Sequence, residues 1–269
     1  MVEVFKNDLQ EMNRQSSKGN QLKWRNGNVW YKADYTGYEG LAEYVISHLL
    51  VKSNLKQSDY VLYFPEEIGY KQQVYCGAKS MHFLTDDWQI ITLERLFQNQ
   101  YGTGLTKAVY AIEGYKERLK FIVDRIIELT GLSEFGVYMS RLLTVDAFFL
   151  NEDRHMHNIA VLMNGKGEFA YCPIFDNGAG LLSDTTMDYP LSGDVVEMMQ
   201  NAGAKTMGSD FDEQLNAAEE LYGQHTIFSF NKKDVNAILD QAILYPQITR
   251  DRVAEIIYLQ MRKYQYLFK

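Results

Sequence analysis

Hydrophobic and polar residues alternate over much of the first third of the chain, in a pattern typical of short β-strands around one helix. The alternation surrounds Asn26-Gly27, a dipeptide that favours a two-residue hairpin turn. Over residues 38–51, apolar positions recur at helical spacing, which predicts a helix with one buried face. The predicted strands of this region are 22–25, 29–33, 60–64 and 72–78.

The rest of the chain shows mainly the helical period. One predicted strand pair interrupts it, at 159–163 and 168–174, on either side of a second hairpin signal at Asn164-Gly165. Asn231 is an N-cap candidate for one of the later helices. The predicted helices are 91–98, 115–130, 134–150, 194–202, 211–222, 232–244 and 250–268.

Together these patterns predict an α+β fold with a small β-rich N-lobe, residues 1–85, and a larger, mostly helical C-lobe, residues 86–269. Hydrophobic residues make up 46% and charged residues 23% of the 269 residues, which is ordinary globular usage and argues against a disordered or collagen-like chain. The formal net charge of −8 argues against broad binding to nucleic acid or to anionic membranes, because both require clustered Lys and Arg.

Cysteine usage and hydropathy indicate the compartment. The chain has two cysteines, Cys76 and Cys172, which are too few for a disulfide framework, so we expect both to be thiols. The first residues lack the apolar core of a signal peptide, and no run of about 18 apolar residues occurs. We therefore expect a cytoplasmic protein with no membrane partner. An effector exported by a dedicated secretion system would also fit this pattern.

The most informative segment is Leu-Asn-Glu-Asp-Arg-His-Met-His-Asn-Ile-Ala-Val-Leu, residues 150–162, which places polar side chains between an apolar helix and an apolar strand. The hairpin that follows leads to Phe-Asp-Asn-Gly, residues 175–178. Phosphoryl transfer from a magnesium-bound nucleotide needs one carboxylate to orient the acceptor hydroxyl and oxygen ligands to hold the metal. Asp153 and Asp176 have carboxylate side chains, and Asn158 has an amide oxygen, so these three residues are of the required types. The step from Asp153 to Asn158 equals the Asp-to-Asn step of the protein-kinase catalytic loop, although capping of a turn would explain both residues too.

The same chemistry needs an upstream lysine for the nucleotide phosphates and a helix carboxylate to hold that lysine. Lys32 lies on a predicted strand, where Tyr31 and Ala33 would face the opposite way. Glu39 and Glu43 lie one turn apart on the same face of the following helix, and their spacing does not choose between them. The plainer alternatives are a solvated strand lysine and exposed helix carboxylates.

A loop that cradles phosphate should precede the first hairpin. No Walker A pattern and no Gly-x-Gly-x-x-Gly pattern occurs in the chain. The nearest candidate is Ser-Ser-Lys-Gly-Asn-Gln, residues 16–21, where Gly19, with Ser17 beside it, would let backbone N–H groups approach an anion. An ordinary polar turn is the alternative for this stretch.

His155 and His157 support a rival hypothesis, since a His-x-His pair beside Asp153 and Asp176 would suit a transition metal used for hydrolysis. The chain has five histidines, and no second motif places ligands at metal spacing, which argues against this hypothesis. We instead assign His155, together with Arg154, to structural support of the loop.

With these residues assembled, the chain resembles the HipA-like kinases, a bacterial branch of the protein-kinase and phosphoinositide-kinase fold. Asn-Glu-Asp-Arg-His-Met-His-Asn, residues 151–158, is similar to the family's Asp-Arg-His-x-x-Asn loop, and Phe-Asp-Asn-Gly lies at the place of its metal-binding Asp. Trp-Tyr-Lys-Ala-Asp, residues 30–34, resembles the strand that carries its nucleotide lysine. The resemblance implies a two-lobed, protein-kinase-like fold and a kinase that uses ATP and Mg²⁺ to phosphorylate Ser or Thr.

The resemblance also implies a role for each matching residue. It makes Asp153 the catalytic base and Lys32 the ligand of the ATP phosphates, with Glu39 or Glu43 positioning Lys32. It makes Asn158 and Asp176 the ligands of magnesium.

Other features of the family bear on regulation and partners. Asp-Asn-Gly, residues 176–178, replaces the Asp-Phe-Gly of ordinary kinases, a departure that bears on activation-loop switching. In some HipA-like kinases a serine of the phosphate loop is autophosphorylated, and Ser16 and Ser17 are available for this. We expect the adenine near a hinge at residues 80–84 and a protein substrate as partner; an antitoxin-like partner rests on analogy alone. A small-molecule or lipid kinase, and a kinase-like nucleotide-binding interaction module, are the alternative functions.

Overall fold

The structure, a computed structural model, describes residues 1–10, 21–85 and 87–269, and this part of the chain forms two compact units. The chain first passes from one unit to the other between Phe83 and Leu84. Two later segments return to the first unit, so neither unit is one continuous stretch of chain. The first unit comprises Met1–Phe83, Phe175–Ala202 and Ile227–Lys269, and the second comprises Leu84–Ile174 and Gly203–Thr226.

A five-stranded sheet forms the base of the first unit. Its strands are β1 (Val2–Glu3), β2 (Lys23–Asn26), β3 (Val29–Ala33), β4 (Tyr63–Tyr70) and β5 (Gln73–Met81), in the order β1-β4-β5-β3-β2. The β2–β3 hairpin turns at Asn26-Gly27 as predicted, and the positive φ of Gly27 (+56°) explains the glycine. The strand predicted at 60–64 begins later, at Tyr63, and continues to Tyr70.

Strand register sorts the side chains of this sheet onto two faces. Lys23 pairs with Lys32, and Lys32 pairs with Ala78, so these three side chains share one face. The opposite face carries an apolar core, consistent with the opposite orientation predicted for Tyr31 and Ala33. The buried members of that core are Val4, Trp24, Tyr31, Ala33, Ile68 and Tyr70.

Helix α1 (Glu39–Leu50) packs on strands β4 and β5 and on a later helix, α8 (Lys232–Gln241). The sequence predicted one buried face, but ten of its twelve residues are buried, because α8 and three strands of the sheet pack against it. A Cβ atom on Gly40 would lie 2.5 Å from the backbone of Gly77, so the absence of a side chain there allows the helix to approach the sheet closely.

The other helices of the first unit are α6 (Val195–Asn201) and α9 (Gln247–Lys263), which contact each other. Helix α8 begins at the predicted cap, where Asn231 accepts hydrogen bonds from the backbone N–H groups of Lys233 and Asp234. It ends at Gln241, three residues earlier than predicted.

The second unit is mainly helical around a small sheet. Its helices are α2 (Leu93–Tyr101), α3 (Leu105–Tyr110), α4 (Tyr115–Thr130), α5 (Phe135–Phe149) and α7 (Phe211–Tyr222), and α4 and α7 have the predicted bounds. The antiparallel sheet has the order β6 (Trp88–Thr92), β7 (Ala160–Asn164) and β8 (Phe169–Tyr171). Strand β6 corrects the prediction of a helix from residue 91, since pairing with β7 outweighs the local helical pattern. Among the described helices, none is long and apolar enough to cross a membrane.

Candidate active site

A buried lysine joins two carboxylates in the first unit. Lys32 on β3 places its Nζ atom 2.5 Å from Oε1 of Glu43 and 2.7 Å from Oδ1 of Asp176. The hydroxyl of Tyr63 lies 3.4 Å from the same ammonium group, whose distance to the Tyr63 ring centroid is 5.0 Å. Strand β3, helix α1 and the segment after β8 therefore each contribute a charged group to one cluster.

The charges of this cluster hold Lys32 in its protonated form. Burial alone would lower the pKa of Lys32, but the negative charges of Asp176 and Glu43 raise it well above its ordinary value. Burial also raises the pKa of Tyr63, and the nearby carboxylate of Glu43 adds to that effect. The cluster thus presents a lasting positive charge between two acceptors.

Glu39 and Glu43, which the sequence left as alternatives, do different things. Glu43 is almost fully buried; its Oε1 accepts from Lys32, and its Oε2 accepts the backbone N–H of Asn177 at 2.9 Å. Glu39 instead turns back to the entrance of α1, where its carboxylate accepts the backbone N–H of Thr36 at 2.7 Å. Glu43 is therefore the partner of Lys32, and Glu39 stabilises the turn that precedes the helix.

The turn that carries Asp176 has an unusual backbone. Asp176 has a φ of +60°, a left-handed conformation that few residues other than glycine adopt. The hydrogen bond from Asn177 to Glu43 holds the turn in this conformation, and a Cβ atom on Gly178 would lie 3.3 Å from that of Glu39. Such conformations are concentrated at functional sites, where surrounding contacts maintain them.

Lys23 is a second lysine beside Asp176, and the sequence analysis missed it. Its Nζ atom lies 3.7 Å from Oδ2 of Asp176, so each carboxylate oxygen faces one ammonium group. Burial lowers the pKa of Lys23, and the charge of Asp176 offsets only part of that effect. A signal was present: the Asn26-Gly27 turn sets the hairpin register, and this register places Lys23 directly opposite Lys32.

The second unit contains the loop with Asp153 and Asn158. The amide Nδ2 of Asn158 donates to the backbone carbonyl of Asp153 at 2.8 Å and lies 3.4 Å from Oδ2 of its carboxylate. This contact directs the other amide atom, Oδ1, away from the Asp153 carbonyl. The loop thus brings the partly exposed carboxylate of Asp153 and the side-chain amide of Asn158 together across five residues of sequence.

A buried ion pair anchors this loop to helix α5. Nε of Arg154 lies 3.0 Å from Oδ2 of Asp146, and Nη1 of Arg154 donates to the backbone carbonyl of Asn158 at 3.1 Å. Asn151 adds a hydrogen bond of 2.9 Å from Nδ2 to Oδ1 of Asp146. Burial raises the pKa of Asp146, and the positive charge of Arg154 opposes that rise. The sequence analysis missed Asp146, although a carboxylate within an apolar helix end was a usable signal.

His155 takes part in the internal hydrogen bonding of the loop. Its Nδ1 accepts the backbone N–H of His157 at 3.2 Å, and its Nε2 lies 3.8 Å from Oδ1 of Asp153. Among the residues that the structure describes, no group of three or more His, Cys, Asp or Glu side chains is arranged to hold a metal ion. The rival transition-metal site therefore receives no geometric support.

The sequence also predicted a phosphate loop and a hinge near the adenine. Ser16, Ser17 and Gly19 of the predicted phosphate loop lie outside the described residues. The predicted hinge begins where β5 ends, at Met81, and within the first unit the ring of Phe83 lies 6.2 Å from that of Phe175. Phe83 and Phe175 pack against an apolar cluster that includes Tyr63.

Comparison with known proteins identifies the fold. No protein-family model matches this chain, and no curated protein matches it in sequence. Its structure is similar to a crystal structure described as a Helicobacter pylori proinflammatory kinase, CtkA, with a TM-score of 0.62. The similarity covers 97% of this chain and 94% of that chain at 14% sequence identity. The predicted α+β, two-lobed, kinase-like fold is thus confirmed, and at this identity the likeness concerns the fold alone.

Proposed function

We propose that the protein is a HipA-like kinase that uses ATP and Mg²⁺ to phosphorylate Ser or Thr of a protein. The observation that carries the proposal is the buried Lys32, held 2.5 Å from Glu43 and 2.7 Å from Asp176. A lysine fixed in this way by a helix carboxylate is the arrangement that phosphoryl transfer uses to bind nucleotide phosphates. The kinase-like fold and the Asp153–Asn158 loop support the same proposal.

In this proposal, the first unit binds the nucleotide phosphates. Lys32 carries a permanent charge, and its two carboxylate contacts fix its position before any nucleotide arrives. A group that is already oriented needs little reorganisation when phosphate binds, which is the main source of its electrostatic contribution. Glu43 acts as a positioning residue, since it holds both Lys32 and the backbone beside Asp176.

The residues assigned to magnesium fit that ion when phosphates accompany it. Asp176 supplies a carboxylate and Asn158 an amide oxygen, which are ligand types that Mg²⁺ accepts. Both oxygens of Asp176 face lysine ammonium groups, however, so a bare dication would meet like charge there. Mg²⁺ commonly binds through one or two carboxylates together with substrate phosphates, and the bound ion would neutralise charge on the phosphates.

In the second unit, Asp153 is the proposed base. It would accept the proton of the acceptor hydroxyl while orienting the hydroxyl oxygen toward the phosphorus. Asn158 fixes the loop through its bond to the Asp153 carbonyl, and Arg154 holds Asn158 to the same loop. These contacts give the carboxylate a defined direction, which is what a positioning mechanism requires.

The test is transfer of labelled γ-phosphate from ATP, with and without Mg²⁺, using the whole chain alone and with a cell lysate as acceptor. We expect labelling by the wild type, and loss of labelling in Asp153→Ala and Asp176→Ala. Asp240→Ala, which removes an exposed carboxylate from α8, is the matched control and should keep wild-type activity.

Each outcome assigns a function. Labelled protein bands that need Mg²⁺ and both aspartates support the protein kinase. Transfer only to small molecules or lipids would support the alternative acceptors, and nucleotide binding without transfer would support an interaction module. Wild-type rates retained by Asp153→Ala would contradict the role of that residue.

A further inference from the structure

Lys205, which lies outside every motif of the sequence, contacts the proposed base in the second unit. Its Nζ atom lies 3.4 Å from Oδ1 of Asp153, although 52 residues separate the two in the chain. The side chain of Lys205 is 40% exposed, and that of Asp153 is 13% exposed. The ammonium group is therefore in contact with the carboxylate and also accessible to a substrate.

The backbone around Lys205 is fixed to the residues on either side of Asp153. The N–H of Gly203 donates to Oε1 of Glu152 at 3.0 Å, and the hydroxyl of Thr206 donates to the carbonyl of Arg154 at 2.6 Å. Thr206, Glu152 and Arg154 are all buried. One bond joins residue 203 to residue 152, and the other joins residue 206 to residue 154. Lys205 lies between the first pair of bonded residues and the second, and it faces Asp153.

Further contacts hold this loop to the helices of the second unit. The N–H of Met207 donates to Oε1 of the buried Gln214 on α7 at 2.7 Å, and Nη1 of Arg118 on α4 donates to the carbonyl of Met207 at 2.6 Å. A surface lysine with no function needs none of this support, because exposed ion pairs contribute little to stability. The support is expected where a charge must be held in one place for chemistry.

We propose that Lys205 is a further catalytic residue, whose ammonium group binds the phosphoryl group during its transfer from ATP; this inference rests on the proposed kinase function. In the transfer step, the acceptor oxygen forms a bond to the γ-phosphorus and its proton passes to Asp153. The bond from that phosphorus to the bridging oxygen breaks, and ADP leaves with the electron pair. Lys205 stays protonated throughout and offsets the negative charge on the transferred oxygens.

The geometry favours Lys205 over His155 for this role. Nε2 of His155 lies 3.8 Å from the same Oδ1 atom of Asp153, farther than the lysine, and its Nδ1 already accepts a backbone N–H of the loop. An imidazole is charged only when it is protonated, whereas a lysine is charged at every physiological pH. A group that is always positively charged suits phosphoryl transfer, because the oxygens of the transferred group are negatively charged throughout the step.

The experiment compares Lys205→Ala, Lys205→Met and Lys205→Arg with the wild type, using the phosphate-transfer assay and hydrolysis of ATP with water as acceptor. Lys107→Ala, which removes an exposed lysine from α3, is the matched control. ADP affinity is measured alongside, since ADP lacks the γ-phosphate that Lys205 is proposed to bind. The melting temperature of each variant reports folding.

We expect kcat to fall about 100-fold in Lys205→Ala and Lys205→Met, as when one donor to a developing charge is removed. ADP affinity and melting temperature should match those of Lys107→Ala, and Lys205→Arg should recover at least a tenth of the lost activity, because it restores the charge. A kcat within threefold of wild type in Lys205→Ala, while Asp153→Ala is inactive, would overturn the inference alone. A parallel fall of kcat, ADP affinity and melting temperature in all three variants would also overturn it, as a structural effect. Failure of the wild type to transfer or hydrolyse would overturn the proposed function and this inference with it.

Discussion

Removal of Asp146 should destabilise the protein more than removal of the whole ion pair that it forms. Asp146 and Arg154 are each about 1% exposed, and their closest atoms are 3.0 Å apart. At that distance, with an effective dielectric constant of about 20, the gross attraction is about 5.5 kcal/mol. Desolvation of two buried ions costs several kcal/mol each, so the net contribution of the pair is small. Asp146→Ala leaves the buried guanidinium without its carboxylate, and we expect a loss of about 3–5 kcal/mol.

The double variant Asp146→Leu with Arg154→Met removes both charges and fills similar volume, so it should regain most of that loss. Urea unfolding of the wild type, of Asp146→Leu, of Arg154→Met and of the double variant gives the coupling energy between the two residues. The exposed Lys120–Asp124 pair on α4, whose closest atoms are 2.7 Å apart, is the matched control, and Asp124→Ala should cost less than about 0.5 kcal/mol. Additive losses in the double variant, or a loss below about 1 kcal/mol in Asp146→Ala, would refute this account of the buried pair.

Two further perturbations test the first unit. Glu43→Gln removes one charge partner of Lys32, so we expect a loss of about 2 kcal/mol in unfolding free energy and weaker nucleotide binding. Glu39→Gln is the control. If both variants weaken nucleotide affinity equally, Glu43 has no special role in binding. Asp34 accepts hydrogen bonds from the Gly40 N–H and from the Tyr245 hydroxyl, and burial together with the charge of Glu39 raises its pKa to about 7. Because the folded-state pKa is above the ordinary value of 3.8, the wild type should lose stability as pH rises from about 4 to about 7, by at most about 4 kcal/mol. Asp34→Asn should remove that loss. The measurement is the urea midpoint of wild type and variant at pH 4.5, 6 and 8. If the midpoints of the two proteins change with pH in parallel, Asp34 is not the group responsible.

Local sequence was enough to predict the features that depend on neighbours along the chain. The Asn26-Gly27 turn, the cap at Asn231 and the bounds of α4 and α7 follow from local propensity and periodicity, which act over a few residues. The order of the lysine, the Asp153–Asn158 loop and the Asp-Asn-Gly turn was also sufficient to indicate the kinase-like fold. These signals need no knowledge of which elements pack together.

Which charged groups meet depends on how the helices and strands pack, and a single sequence does not show that packing. Glu39 and Glu43 are equivalent in helical spacing, and the close approach of Gly40 to Gly77 is a contact between elements that no local pattern reports. Ile91 and Thr92, where a helix was predicted, belong to strand β6 because they pair with Val161 and Ala160 of β7.

The contact between Lys205 and Asp153 has the same cause. It joins residues far apart in the chain through hydrogen bonds that flank both, and the energy of such contacts depends on distance in space rather than on separation in sequence. A single sequence contains the residues that make these contacts, but the pairing among them is set by packing of the helices and sheets that carry them.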